Sequence, residues 1–342
     1  MAKTKKEKGE ELDPLEAALQ GISATFGAGS VISDGSLVET QRQGTGSLGL
    51  DIITGGGWGI GRMVELYGPE SSGKTTICIH TMVQAQKDQP DRRVAMIDME
   101  HAFDRYYAES LGLDVSKLII AQPNNAEEAL EIAERLISSG KISVCVIDSI
   151  ASLTPKAEVE GEMGDNQMGL QARLMSKACR KLTSIVSRNN TVMLWTNQLR
   201  EKIGVVYGSP EVTSGGNAMK FYASIRVKVK KATGDKDKEG NVLTSRVTVE
   251  TVKNKIAPPF QKAHFDILFG EGIDRDSEII EHALALKILT TAGTWIKYGE
   301  STLAQGAGNL RLLLKDNIEL AEELEGLILK HYFSEEEDGE TL

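Results

Sequence analysis

The chain of 342 residues, 40% hydrophobic and 26% charged, has the composition of a soluble globular protein and the length for one large domain with appendages or for two domains. No apolar run approaches the ~20 residues needed to cross a bilayer, and the start MAKTKKEKGEELD lacks the apolar stretch of a secretory signal. Cys78, Cys145 and Cys179 lie far apart in apolar or helical patterns, neither a metal-ligand nor a disulfide framework, which points to a reducing cytoplasm. The net charge of −10 does not exclude a nucleic-acid partner, because binding follows local fields: residues 199–231 hold seven basic and two acidic residues, residues 311–342 ten acidic and three basic.

Residues 1–12 read as disordered. Asp13-Pro14 opens a helix, with Asp13 as N-cap and Pro14 at the first helical position, running to Phe26-Gly27. So short a helix ahead of the Gly/Ser-rich residues 27–36 needs a surface to pack on, either its own core or a neighbouring subunit.

Strands then alternate with helices. Met63-Val64-Glu65-Leu66-Tyr67 runs into Gly68-Pro69-Glu70-Ser71-Ser72-Gly73-Lys74-Thr75-Thr76, the pattern G-x-x-x-x-G-K-[ST], with a helix following through Gln86. In that pattern the glycines let backbone N–H groups turn in around a β-phosphate, Lys74 reaches the β- and γ-phosphates, and the Thr75 hydroxyl ligates Mg²⁺. The buried strand 94–98 carries Asp98, with Glu100 just beyond it. Either carboxylate can orient and deprotonate the water that attacks a γ-phosphate; alternation puts both on one face, so spacing leaves the choice open. A helix at 106–111, a strand at 118–121 and a helix at 126–138 follow.

The strand Val144-Cys145-Val146-Ile147 ends in Asp148, which suits the Mg²⁺-side carboxylate of a nucleotide site; the alternative is an N-cap for the next segment. Glu160-Gly161-Glu162-Met163-Gly164-Asp165-Asn166-Gln167-Met168-Gly169 reads as a mobile stretch. The helix after it, 170–188, puts Leu170, Leu174, Ala178, Leu182 and Ile185 on one face and Arg173, Lys177, Arg180, Lys181 and Arg188 over the rest. The strand 191–196 leads to Asn197 and Gln198, where a carboxamide beside the γ-phosphate would gain or lose a hydrogen bond on hydrolysis. Short apolar runs separated by helices indicate a largely parallel sheet covered on both faces.

Residues 199–217 read as a mobile loop longer than ordinary connections. Arg200 and Lys202 would contact phosphates, and Tyr207 could insert between bases; Gly215, Gly216 and Asn217 end the segment. Ile225, Val227 and Val229 alternate with Arg226, Lys228 and Lys230, and with 245–252 they form a hairpin across Glu239-Gly240-Asn241. Helices at 278–286 and 318–330 precede a tail, Ser334-Glu335-Glu336-Glu337-Asp338-Gly339-Glu340, too acidic to fold. Two glycine-rich loops and a basic helix all follow strands that carry nucleotide groups, a placement that points to a nucleic-acid site coupled to nucleotide state.

GPESSGKTT, Asp98-Met99-Glu100-His101-Ala102, VIDSIASLTPKAEVEGEMGD, TNQLREKIGVVYGSPEVTSGGNAMKFYAS and TVKNKIAPPF together resemble the bacterial RecA recombinases, over roughly residues 12–330. The resemblance implies an ATP-dependent recombinase that polymerises on single-stranded DNA as a helical filament, pairs it with homologous duplex DNA and exchanges strands, with stimulation of LexA-type repressor self-cleavage in an SOS response. It makes Glu100 the general base, Asp148 the Mg²⁺-side carboxylate and Gln198 the γ-phosphate sensor, and has Asp104 and Tyr107 contact adenine. Lys253 and Lys255 would reach the neighbouring subunit's γ-phosphate, much as an arginine finger does. Glu160 to Met168 (with Gly161, Met163 and Gly164) resembles a first DNA loop and residues 199–214 a second, while Arg173, Arg180, Gly215, Gly216 and Asn217 match positions that hold the primary strand. Phe26 and Phe221 fall at interface positions, and the N-terminal helix would pack on the adjacent protomer. One departure stands in Thr25-Phe26-Gly27-Ala28-Gly29-Ser30: a lysine is common in the family where this chain has Ala28, which implies one intersubunit ion pair fewer.

The expected fold is α/β: an oligomerisation helix and linker (1–36), a RecA-type phosphate-loop ATPase core with a mostly parallel sheet (37–274), a small α+β C-terminal domain that gathers duplex DNA (275–333), and the acidic tail (334–342). Two alternatives share the core: a hexameric helicase, in closed rings and more typically with an interface arginine, and a nucleotide-switched DNA-binding regulator that exchanges nothing.

Overall fold

The computed structural model describes residues 13–27, 31, 40–162, 169–201, 211–232 and 244–333. Two compact units divide the chain, residues 1–40 and 41–342. In the first, α1 (Pro14–Phe26) opens on Asp13, whose Oδ1 accepts the Leu15 N–H at 3.3 Å, and closes on Gly27 at φ 96°. None of its residues is buried, and Leu15 and Phe26 are more than half exposed. A helix of this length is marginal alone in water, so two large apolar side chains on it mark a surface that wants a partner. Ala28 lies outside the described residues.

The second unit begins with β1 (Arg42–Gln43), α2 (Leu48–Thr54) and β2 (Trp58–Gly59). Ser47 caps α2 by accepting the Leu50 N–H, and Gly55 in the left-handed region ends it. Then come β3 (Met63–Gly68), α3 (Lys74–Asp88), β4 (Arg93–Asp98), α4 (Arg105–Ser110), β5 (Leu118–Ala121), α5 (Ala126–Ser138) and β6 (Ile142–Asp148). The start of α5 is fixed reciprocally: Asn125 accepts the Glu128 N–H at 2.9 Å while the Glu128 carboxylate takes the Asn124 N–H at 3.1 Å. The chain continues through α6 (Lys156–Glu160), α7 (Leu170–Arg188), β7 (Val192–Glu201), β8 (Glu211–Thr213), α8 (Ala218–Tyr222), β9 (Ile225–Lys231), β10 (Thr244–Asn254), β11 (Lys262–Leu268) and β12 (Gly272–Ile273).

Among the described residues one large sheet runs β12-β11-β10-β9-β3-β7-β6-β4-β5, with β8 paired to β7. Pairing is parallel from β9 through β3, β7, β6 and β4 to β5, and antiparallel from β9 outward to β12. The strands of the parallel part read as continuous apolar runs because both faces are covered. On one face Val64, Leu66, Val144 and Leu194 pack with Ile77 and Met82 of α3; on the other Ile97, Cys145, Ile147 and Trp195 pack with Leu130 of α5 and Leu182 of α7. Each large side chain so buried stabilises the fold by about 1.5–3 kcal/mol.

The C-terminal lobe holds α9 (Arg275–Ala285), the antiparallel strands β13 (Leu289–Ala292), β14 (Trp295–Tyr298) and β15 (Ser301–Gln305), then α10 (Ala307–Asp316) and α11 (Ile318–Phe333). Its own apolar cluster, with Ile280, Leu310, Leu324 and Ile328, also takes in Leu48 from α2.

Two boundaries and one buried face differ from the sequence reading by more than a residue or two at a helix end. Residues 199–201 are strand, not loop: Leu199 pairs with Thr213, Arg200 with Val212 and Glu201 with Glu211, so the β-branched Val212 and Thr213 extend β7 into a hairpin. The buried stripe of α7 is Met175, Ala178, Cys179, Leu182 and Val186 rather than one through Leu170, because the helix rolls Cys179 toward Met219 of α8. And α9 starts at Arg275, three residues early, because the Asp274 carboxylate takes both the N–H and the hydroxyl of Ser277.

Candidate active site and the surface beside it

Register places the chemistry at one edge of the sheet. Gly68 pairs with Gln198, Asp98 with Asp148, and Ile147 with Trp195, so β3, β6 and β4 finish within about two residues of one level, and β7 carries Gln198 past it on the way to Glu201. Open parallel sheets take ligands beyond this carboxyl edge. From β3 the chain turns through Ser71 at φ 53° and Gly73 at φ 92° before α3 begins. A side chain is excluded at Gly68, where a Cβ would lie 2.0 Å from the Val229 carbonyl oxygen, and strained at Gly73, where φ is 92° and a Cβ would lie 2.6 Å from Ile267 Cδ1. No side chain caps α3 at Gly73, which leaves its first-turn N–H groups available to an anion.

Lys74 Nζ donates to the carbonyls of Pro69 (2.6 Å) and Gly68 (3.2 Å) and lies 3.4 Å from Ser72 Oγ. Burial lowers its pKa, with Asp148 and Glu100 pulling the other way. Thr75 Oγ1 donates to Asp148 Oδ2 at 2.7 Å, and Asp148 Oδ1 accepts the Thr196 hydroxyl. Burial raises the Asp148 pKa against those two hydrogen bonds. A hydroxyl and a carboxylate in contact make a small, hard, all-oxygen donor pair, which fits Mg²⁺ that keeps waters and phosphate oxygens as its other ligands.

Asp98 and Glu100, inseparable by spacing, have different jobs here. Asp98 is buried and fully engaged: Oδ1 accepts the N–H groups of Glu100 (3.2 Å) and Ala102 (3.3 Å), Oδ2 those of Phe103 (3.1 Å) and Gln122 Nε2 (3.0 Å). It shapes the turn after β4. Glu100 is exposed, and its Oε1 accepts from Ser149 Oγ (2.5 Å) and Gln198 Nε2 (3.5 Å). Asp104 caps α4 by accepting the Tyr107 N–H at 3.0 Å, and the Tyr107 hydroxyl lies 3.1 Å from Thr76 Oγ1. Thr75, Glu100, Asp104, Tyr107 and Asp148 thus line one cavity.

A second cleft of about 430 Å³ adjoins it, lined by residues 71–76, Tyr107, Lys231, Ser245, Ile267 and Phe269. Phe269 and Lys231 escaped the sequence reading. The available signals were an aromatic set in a Phe-Gly-Glu-Gly turn and a lysine ending a basic alternating strand. Neither says which loop it faces.

Beside Gln198, Gly215 and Gly216 adopt φ 80° and 73° and press on the first turn of α7. The Gly215 N–H donates to Gln171 Oε1 at 3.2 Å, and a Cβ on Gly216 would meet the Ala172 Cβ at 2.8 Å. Asn217 follows them in the chain, and on α7 Arg173, the residue after Ala172, is exposed, as is Arg180 about 10 Å further along at 1.5 Å per residue. Arg200 is exposed near the end of β7, and Glu160 and Gly161 are exposed at the end of α6. Met163, Gly164, Met168, Lys202 and Tyr207 lie outside the described residues.

Phe221 on α8 is 73% exposed. Lys253 Nζ donates to the carbonyls of Lys220 (2.7 Å) and Phe221 (3.0 Å), at the end of α8. Lys253 pairs with Arg226, and Arg226 with Glu65, three residues or about 10 Å before Gly68 along β3. Lys253 therefore lies two strands over and about 10 Å back from its own chain's phosphate loop, and Lys255, whose N–H bonds the Ser224 carbonyl beside Met63, lies at the amino-terminal edge of the sheet.

A family model described as the RecA N-terminal domain matches residues 13–274, and one described as the RecA C-terminal domain matches residues 277–333. The chain is 53% identical over 324 residues to Protein RecA of Bacteroides thetaiotaomicron, covering 94% of this chain and 97% of the relative. It is 50% identical to Protein RecA of Cytophaga hutchinsonii (92% and 89% covered) and 48% identical to that of Caulobacter vibrioides (95% and 91%). Among the described residues no helix is long and apolar enough to cross a membrane.

Proposed function

The chain belongs to the RecA family of recombinases, and from that premise we propose that it hydrolyses ATP with Mg²⁺ between subunits of a helical filament on single-stranded DNA, pairing the strand with homologous duplex. The observation that carries this reading is the meeting of Lys74, Thr75, Asp148, Glu100 and Gln198 at one edge of the sheet, with Gln198 bonded to Glu100 and followed directly by the hairpin and its DNA-facing segment.

In this reading the loop 68–76 and the N-terminus of α3 hold the phosphates, and Thr75 and Asp148 would hold Mg²⁺, which offsets phosphate charge when bound. Glu100 takes a proton from the attacking water; its exposure and an Oε2 with no hydrogen bond from the described residues suit that role, whereas the four donors on Asp98 leave it no capacity. Gln198 Nε2, now 3.5 Å from Glu100, can exchange that partner for a γ-phosphate oxygen. Asp104, Tyr107 and Phe269 surround the base. Gly215, Gly216, Asn217, Arg173 and Arg180 hold the DNA backbone, with Glu160, Gly161, Met163, Gly164 and Met168 in a first loop and Arg200, Lys202 and Tyr207 in a second.

Lys253 and Lys255 complete the neighbour's site, for which their distance from their own loop is the support. The exposed Phe26 and Phe221 pack between protomers, and α1 docks on the adjacent core. We place the protein in the cytoplasm, assign residues 1–36, 37–274, 275–333 and 334–342 as its domains, and extend its partners to a LexA-type repressor.

Turnover measured with and without single-stranded DNA, together with strand exchange between homologous substrates and electron microscopy with a slowly hydrolysed ATP analogue, tests this. DNA-stimulated turnover, joint molecules and open filaments are expected. Closed rings would favour the helicase alternative, and filaments without joint molecules the regulator.

A further inference from the structure

Glu65 lies in the middle of β3 with none of its surface exposed. A carboxylate there is costly unless paired and hydrogen-bonded, and a buried ion pair is weak ground for stability in any case. What it fixes is geometry. Each oxygen serves a different neighbouring strand: Oε1 accepts Asn197 Nδ2 on β7 at 2.9 Å, and Oε2 accepts Arg226 Nε on β9 at 2.5 Å.

Both partners lead onward. Asn197 Nδ2 also donates to the Ser214 carbonyl at 3.0 Å, where the DNA-facing segment returns, and Asn197 Oδ1 accepts the N–H of Gln198 at 2.9 Å. Arg226 lies 4.8 Å over the Tyr67 ring and faces Lys253 across a bulge in β10, and Lys253 in turn holds the end of α8 beside Phe221. One carboxylate is thus the common member of a hydrogen-bonded set that reaches the nucleotide sensor, the end of the DNA segment and the strand of the interface lysines.

We propose that Glu65, through Arg226 and Asn197, is a positioning residue that holds Gln198, Ser214 and Lys253 as one rigid unit, so that the state of the nucleotide reaches the DNA-facing segment and the neighbouring subunit together. This rests on the proposed roles of Gln198 and Lys253. Neither Glu65 nor Arg226 touches nucleotide or DNA in that reading, so their loss should uncouple the sites without emptying either one.

The test compares the wild-type chain with Glu65→Gln and with the double variant Glu65→Gln/Arg226→Met, in which no buried charge is left alone should the single variant fail to fold. Steady-state ATP turnover is measured with and without single-stranded DNA, with KM and kcat separated. For the double variant the expected result is an unchanged KM for ATP and unchanged DNA-free turnover, with DNA-stimulated kcat down roughly tenfold, within the range typical of coupling between sites. DNA stimulation equal to wild type would overturn the proposal, as would a parallel fall with and without DNA. A wild-type chain that DNA does not stimulate would instead remove the functional reading beneath the proposal, and the proposal with it.

Discussion

Replacing Glu278 by glutamine perturbs a single buried carboxylate where the C-terminal lobe meets the core. Glu278 is at the start of α9, yet its carboxylate accepts Ser47 Oγ at 2.7 Å, the Gly49 N–H at 2.9 Å and the Leu48 N–H at 3.2 Å, all at the first turn of α2. Burial pushes its pKa up from 4.5 to about 7, against the pull of those donors and of Arg275. Desolvation wins. Because the folded value is the higher one, the folded chain binds the proton more tightly. The stabilisation this gives is complete below pH 4.5 and is lost as the pH rises to about 7. At 1.36 kcal/mol per unit the loss is about 3 kcal/mol, or roughly a hundredfold in the constant for local opening.

Hydrogen exchange at the Leu48 and Gly49 amides, measured between pH 4.5 and 7.5 and corrected for the intrinsic rate, reads that constant directly. Asp51, raised by burial to about 6 and facing Arg275, contributes a slope of the same sign in both proteins, so the difference between wild type and Glu278→Gln isolates Glu278. The variant should lose about half of the pH dependence at these amides, the part that extends up to about pH 7, with the Asp51 slope left behind. An unchanged pH dependence in the variant would refute the assignment of the titration to Glu278.

Four further variants concern the site. Lys74→Ala should abolish nucleotide-dependent filament formation in electron micrographs; unaltered filaments would remove the lysine from phosphate binding. Glu100→Gln should retain ATP and DNA binding while turnover falls by about 10²–10⁴, the usual share of a general base, whereas Asp98→Asn should lower the unfolding temperature because it disturbs four hydrogen bonds; wild-type turnover in Glu100→Gln would refute the base assignment. Phe269→Ala should weaken binding of an ATP analogue roughly fivefold, the equivalent of about 1 kcal/mol for a lost aromatic contact; an unaffected dissociation constant would separate the cleft beside it from the base.

What could be read without coordinates was whatever is written locally. The phosphate loop announces itself in nine consecutive residues, Asp13-Pro14 marks a helix start, and the apolar runs of β4 and β6 mark buried parallel strands. Relations that pass through the sheet were not legible. Nothing near Glu65 in sequence indicates Arg226 or Asn197, because register alone makes them neighbours. Asp98 and Glu100 share a face by alternation, and only the backbone turn that Asp98 gathers tells them apart. In the C-terminal lobe, β13 to β15 are strands of four or five residues without clean alternation, and α10 follows them at once, so no periodicity had length enough to register.

The placement of Lys253 and Lys255 back toward the amino-terminal edge of the sheet, away from Gly68, has a consequence for any assembly of this chain. If those lysines serve the next protomer, contacts are head-to-tail and do not mirror themselves. A row of n chains then contains n − 1 complete sites, and its two ends are chemically unlike: one shows a phosphate loop that lacks its lysines, the other lysines that lack a phosphate loop. Only subunits with a neighbour on the correct side can turn over, so addition and loss need not run at the same rate at both ends. The row has a direction before any DNA is aligned in it.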